Sequence, residues 1–126
     1  MKQINTKNRL LVGALGEEIA CRFLMKHNFT VIERNFRQKC GEIDIVAEKM
    51  GEIHFVEVKT VSRESGHRPE ENMHFRKIQR LERTIQLYLS KRHVPCETRF
   101  QIDGVTVCLD PENQRASVGM IENINF

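Results

Sequence analysis

The sequence predicts an α/β domain, a mixed sheet flanked by helices in the order helix, three strands, helix, one or two strands. Two long stretches repeat apolar residues at spacings of three and four, Val12, Leu15, Ile19 and Phe23 in one, His74, Ile78, Leu81, Ile85 and Tyr88 in the other. Between them lie three short runs of β-type residues, two of which are joined by a glycine turn. The length of 126 residues suits one unit of structure, so a single domain over 1–126 is expected.

The first helix is expected from about Asn8 to Lys26, capped by Asn8 or Thr6. Beyond His27-Asn28 the alternation of Phe29 to Glu33 reads as a first strand, followed by a basic stretch from Arg34 to Lys39. Glu42 to Ala47 and Ile53 to Lys59 are two more strands, and Glu48-Lys49-Met50-Gly51-Glu52 between them forms a hairpin turn in which glycine supplies the tight backbone. A loop follows from Thr60 to Pro69. The second helix is expected from about Glu70 to Lys91, with Glu70 and Glu71 suiting its N-terminal dipole and Pro95 closing it. Phe100 and Ile102 keep one alternation and Val105, Val107 and Leu109 the opposite one, which predicts a bulge near Asp103-Gly104. Asp110 to Asn113 turns the chain, and Ala116 to Ile121 returns as a short edge strand.

Composition narrows the function classes. With 40% hydrophobic and 29% charged residues, and no run approaching 18 uncharged apolar positions, a membrane span is excluded from the expectation. Met1 to Lys7 lacks the apolar stretch of a signal peptide, and a cytoplasmic protein is expected. Cys21, Cys40, Cys96 and Cys108 match neither a metal knuckle nor a disulfide framework, and the five histidines show no ligand spacing. Charge is distributed in blocks: residues 1–41 and 59–93 are basic, and 42–58 carry one Lys against five Asp/Glu. That pattern suits a carboxylate cluster for a cation, walled by cations for an anionic substrate.

The hairpin concentrates the chemistry. If its turn centres on Met50 and Gly51, paired residues have numbers summing to 101, so Asp44 faces Glu57 and Glu42 faces Lys59. Opposed residues share a face with Cβ atoms roughly 4.5–5.5 Å apart, and Glu57 and Lys59 share one by the strand period of two. Ile43, Ile45, Val56 and Val58 are expected to pack the opposite face. Two opposed carboxylates repel; a hard divalent cation such as Mg²⁺ relieves that repulsion. A cross-strand salt-bridge ladder, with Glu42 and Lys59 as the compensating pair, is the competing reading. On the first helix, Glu18 groups with Arg22 on the polar side. Glu17 sits among Gly13, Ala20 and Leu24, where small neighbours let the helix approach the sheet, and offers a third acid. A grip on polyanions is expected from Arg63 and Arg68 on the loop and from Arg76, Lys77, Arg80 and Arg83 on the second helix, through phosphates and not bases.

The segments Gly13-x-x-Gly16-Glu17-x-x-Ala20, Gly41-Glu42-Ile43-Asp44-Ile45-Val46-Ala47 and Phe55-Val56-Glu57-Val58-Lys59-Thr60 resemble the YraN family, small bacterial proteins of the PD-(D/E)xK nuclease superfamily. The layout is also similar to that of archaeal Holliday-junction resolvases. The resemblance spans roughly residues 9–103; this chain has Val61 where the family often carries Arg and Gln101 where it commonly carries Asp. It implies a restriction-endonuclease-like mixed sheet and phosphodiester hydrolysis with Mg²⁺ or Mn²⁺. Asp44 and Glu57 would be metal ligands, Lys59 the residue that activates or orients the attacking water, and Glu17 the accessory acid. Nucleic acid is the expected partner, DNA ahead of RNA and at branched or single-stranded substrates, with no membrane and with a dimer as open as a monomer. The alternative is a non-catalytic nucleic-acid-binding module, or one that docks a partner in a DNA-processing assembly.

Overall fold

Local chemistry sets where each element stops. The first helix, α1 (Arg9–Lys26), ends where Asn28 takes a left-handed φ of 67° and the Phe29 N–H reaches back to the Leu24 carbonyl at 3.0 Å. In this computed structural model, which describes residues 9–63 and 75–124, the chain continues as β1 (Thr30–Gln38), β2 (Gly41–Lys49), β3 (Glu52–Ser62), α2 (Phe75–Lys91), β4 (Phe100–Asp110) and β5 (Arg115–Ile121). Met50 and Gly51 both have positive φ, 52° and 79°, as a two-residue hairpin with the native sheet twist requires. The expected start of the second helix, Glu70 to His74, lies outside the described residues.

The five strands lie in the order β1-β2-β3-β4-β5; β3 and β4 run parallel and every other pair antiparallel. A parallel pair needs a crossover, and α2 lies within it. Because β3 alternates strictly, its two faces serve two cores. Ala20, Cys21 and Leu24 of α1 pack with Ile45, Ala47, Val56, Val105, Val107 and Leu109. Leu81, Ile85 and Tyr88 of α2 pack with Phe36, Ile43, Val46, Ile53 and Phe55. This is a mixed sheet with a helix on each face, consistent with the restriction-endonuclease-like arrangement.

Three expectations are corrected. No bulge interrupts β4, whose ladders with β3 and β5 run in unbroken register. The phase switch arises because the strand's cover changes: Ile102 belongs to the α2 core, whereas Val105, Val107 and Leu109 face α1. Ile43 sides with the α2 core instead of joining Ile45, Val56 and Val58, since β1 turns at Asn35 (φ 53°) and Phe36, paired with Ile43, stacks edge-on against Tyr88. The first strand also extends through the basic stretch to Gln38. Among the described residues no helix is long and apolar enough to cross a membrane.

Candidate active site

The hairpin register is the one that the turn dictates. Ile45↔Val56, Val46↔Phe55, Ala47↔His54, Glu48↔Ile53 and Lys49↔Glu52 all sum to 101. Past Ile45↔Val56 the ladder gives way to a side chain: the Val58 N–H donates to Asp44 Oδ2 at 2.7 Å. Asp44 and Glu57 thus come level at the point where β2 and β3 part, and both are buried, 7% and 6% exposed. Burial, then the neighbouring Glu57 charge, pushes the Asp44 carboxyl up to about 8, against the pull of the Val58 N–H; Glu17 and Glu42 push in the same direction as Glu57. Near neutral pH the metal-free pair therefore keeps a proton on Asp44.

Lys59, half-buried, lies two residues along β3 from Glu57 and on the same side of the strand. Their partners on β4 are Thr106 and Gly104, so no side chain beside Glu57 on that strand overhangs it. Glu17 is delivered by α1 through one close contact. A Cβ on Gly16 would stand 1.8 Å from Thr60 Oγ1, so only glycine lets the helix lie this near β3; a Cβ on Gly13 would meet nothing within 4 Å among the described residues. Glu18 turns outward to Arg22 and Arg34, at 3.3 and 3.0 Å. Glu42 pairs across β1–β2 with Arg37 at 3.2 Å, and no described ion pair joins it to Lys59. The salt-bridge ladder in the form expected is absent from the described residues.

The donor set suits a hard cation. Among the described residues no three His, Cys, Asp or Glu side chains are arranged to hold a metal, so the charged donors are the pair Asp44 and Glu57, with Glu17 near enough to act through its field. Asn35 is a residue that the sequence reading did not single out. It lies between the pairs Arg34↔Ile45 and Phe36↔Ile43, level with Asp44, and among the described residues its buried Oδ1 has no hydrogen-bond partner. Two carboxylates and water oxygens are what Mg²⁺ takes from proteins of this chemistry.

The expected phosphate-binding residues divide. Arg80, exposed, lines a cleft of about 380 Å³ together with Glu57 and the β1–β2 hairpin end; Arg83 lines a different groove, beside Phe100 and Ile102. Arg63 is engaged with Asp110 at 3.3 Å. Arg76 and Lys77 fall on the first turn of α2, and Arg68 lies outside the described residues.

A second buried polar group lies toward the other end of β3. His54 Nδ1 and Asp103 Oδ2 are 2.6 Å apart, and Asp103 Oδ1 accepts from Gln101 Nε2 and the Asn123 N–H at 2.7 and 2.8 Å. The sequence reading placed a bulge at Asp103; a charged residue set among apolar strand positions was the overlooked signal.

The sequence model of the "Uncharacterised protein family UPF0102" matches residues 16–107. The chain belongs to the UPF0102 family. It is 37% identical over 112 residues to a UPF0102 protein of Clostridium botulinum (strain 657 / Type Ba4), covering 89% of this chain and 91% of that one. A UPF0102 protein of Campylobacter jejuni subsp. jejuni (serotype O:23/36, strain 81-176) is 36% identical over 116 residues, 92% and 95% of the two chains. The family match opens on Gly16, includes Glu17, Asp44, Glu57 and Lys59, and closes before β5.

Proposed function

We propose that this UPF0102 protein is a metal-dependent nuclease of the PD-(D/E)xK type that hydrolyses phosphodiester bonds in DNA. The observation that carries the reading is the buried Asp44 and Glu57 pair at the parting of two central strands, a costly arrangement that a hard cation makes favourable, with Lys59 beside it. Asp44 and Glu57 would hold Mg²⁺ or Mn²⁺. Such an ion supplies Lewis-acid polarisation of a phosphoryl oxygen and a more acidic bound water.

The chain's own residues supply the rest. Asp44 must give up its proton for both carboxylates to bind as anions, so alkaline pH and cation concentration favour the same state. The Val58 N–H holds Asp44 Oδ2 and leaves Oδ1 as its other donor. The Lys59 ammonium orients the attacking water and stabilises the charge that develops on the phosphoryl oxygens. Glu17 adds negative potential that favours the cation, and Arg80 holds substrate phosphate at the cleft.

The test is a cleavage panel of duplex, single-stranded, flap and four-way-junction DNA with Mg²⁺ and Mn²⁺. Wild type should cut at least one substrate, and Asp44→Ala, Glu57→Ala and Lys59→Ala should each lower the rate by about 10²-fold or more. No cleavage of any substrate, or cleavage indifferent to Asp44→Ala, rejects the reading. In the same preparations Asp44→Ala should abolish Mn²⁺ binding measured by calorimetry.

A further inference from the structure

We infer that the site takes a single nucleic-acid strand, led to Glu57 between the β1–β2 hairpin end and α2, with Arg37 and Arg80 gripping its phosphates from the two walls. This rests on the nuclease reading and adds the form of its substrate.

The cleft supplies the geometry. Its lining is Arg37, Gln38, Gly41 and Glu42 from the β1–β2 hairpin end, Arg80 and Leu81 from α2, and Glu57 from β3. At about 380 Å³, roughly 7 Å on a side were it a cube, it falls at the small end of the range for pockets that enclose one small molecule, about 300–1,000 Å³. That is room for one nucleotide unit of a strand. A duplex, whose major groove alone is about 12 Å wide, is too broad to enter. Because Glu57 is only 6% exposed, a phosphate reaches it by entering the cleft and not by lying across the surface. The narrowness is built in: a Cβ on Gly41 would stand 2.9 Å from Thr84 Oγ1 and 3.5 Å from the Arg80 carbonyl, so hairpin and helix touch at the cleft's base.

Charge points the same way. Arg80 is exposed at the rim, and Arg37 is held by Glu42 in an exposed ion pair with side chains 73% and 52% accessible. Exposed pairs of this kind contribute little, so a phosphate competes readily for the Arg37 guanidinium, which it can bind in bidentate fashion.

Equilibrium binding of a short fluorescein-labelled oligothymidylate, and of a labelled duplex of the same length, is measured by anisotropy without divalent cation. The readout is thus independent of whether any DNA is cut. The single strand should bind about tenfold or more tightly than the duplex. Arg37→Ala with Arg80→Ala should weaken strand binding by about tenfold or more and reduce the log–log salt slope by about 1.4, two phosphates at roughly 0.7 each. Glu42→Gln, which releases Arg37, should strengthen it. Equal or tighter duplex binding overturns the inference, as does a double variant with unchanged affinity and slope while its melting temperature matches wild type. The nuclease reading is decided separately, by the cleavage panel.

Discussion

Asp44 carries two opposed demands, a structural one met by its hydrogen bond from Val58 and an electrostatic one met only by a proton or a cation. Its carboxyl titrates near 8 when folded against 3.8 as a free side chain, so the folded state binds this proton more tightly. The contribution of Asp44 to stability is therefore full below about pH 4 and is lost progressively as pH rises to about 8. Glu18, Glu33 and Asp110, held low by Arg34, Arg92 and Asn113 respectively, titrate in the opposite sense and only in the acid range. The difference between wild type and Asp44→Asn thus isolates the Asp44 and Glu57 pair from these groups. In thermal melts of the metal-free proteins, Asp44→Asn should match or exceed wild type above pH 8, by about 1 kcal/mol or more, and lose that advantage towards pH 5; Mg²⁺ should raise the wild-type melting temperature and leave the variant unmoved. A variant that unfolds at all pH values would count against the site. That Asp44, Glu57 and Lys59 come together was legible because a hairpin's register follows from its turn. Asn35 was not, because a neutral residue within a basic stretch shows nothing of its left-handed φ or its buried oxygen.

Between elements, two distances that matter are set by Gly16 and one buried carboxylate. Replacing glycine by alanine within a helix ordinarily gains up to about 1 kcal/mol. Gly13→Ala in α1 meets open space and should realise about 0.5–1 kcal/mol of it, whereas Gly16→Ala drives a methyl into Thr60 and should cost about 1–3 kcal/mol, both read by urea denaturation. Opposite signs three residues apart are the signature of the α1–β3 contact that carries Glu17. At the sheet's other end Asp103, fully buried, joins β3, β4 and the chain after β5; Asp103→Ala strands three donors and should cost about 2–4 kcal/mol, with Asp103→Asn costing less. Element identities were legible throughout, since helix and strand periods differ sharply. The β4 bulge was misread because a phase change in one strand has two causes, an inserted residue or a change in which face is covered. Only the positions of both helices distinguish them.

Over the whole molecule, the acidic segment of the sequence folds into the interior edge of the site and the basic segments bracket it, with Arg37 from one and Arg80 from the other at a single cleft. The same Glu57 that would hold a cation therefore repels the polyanion whenever the cation is missing. A unit charge at about 7 Å from a phosphate costs about 0.6 kcal/mol even at the dielectric of water, which is roughly threefold in affinity, and more at the lower effective dielectric of a cleft. Glu57→Gln, which keeps the side chain's size, should accordingly bind single-stranded DNA about threefold or more tightly than wild type without divalent cation, while its cleavage falls by about 10²-fold or more. Mg²⁺ should strengthen DNA binding by wild type at high pH, where Asp44 is ionised, and have little effect on the variant. Anisotropy titrations at two pH values with a phosphorothioate strand, which resists cutting, would read the binding effects, and the cleavage panel the fall in rate. Glu57→Gln binding at wild-type affinity would place the DNA path away from the cleft.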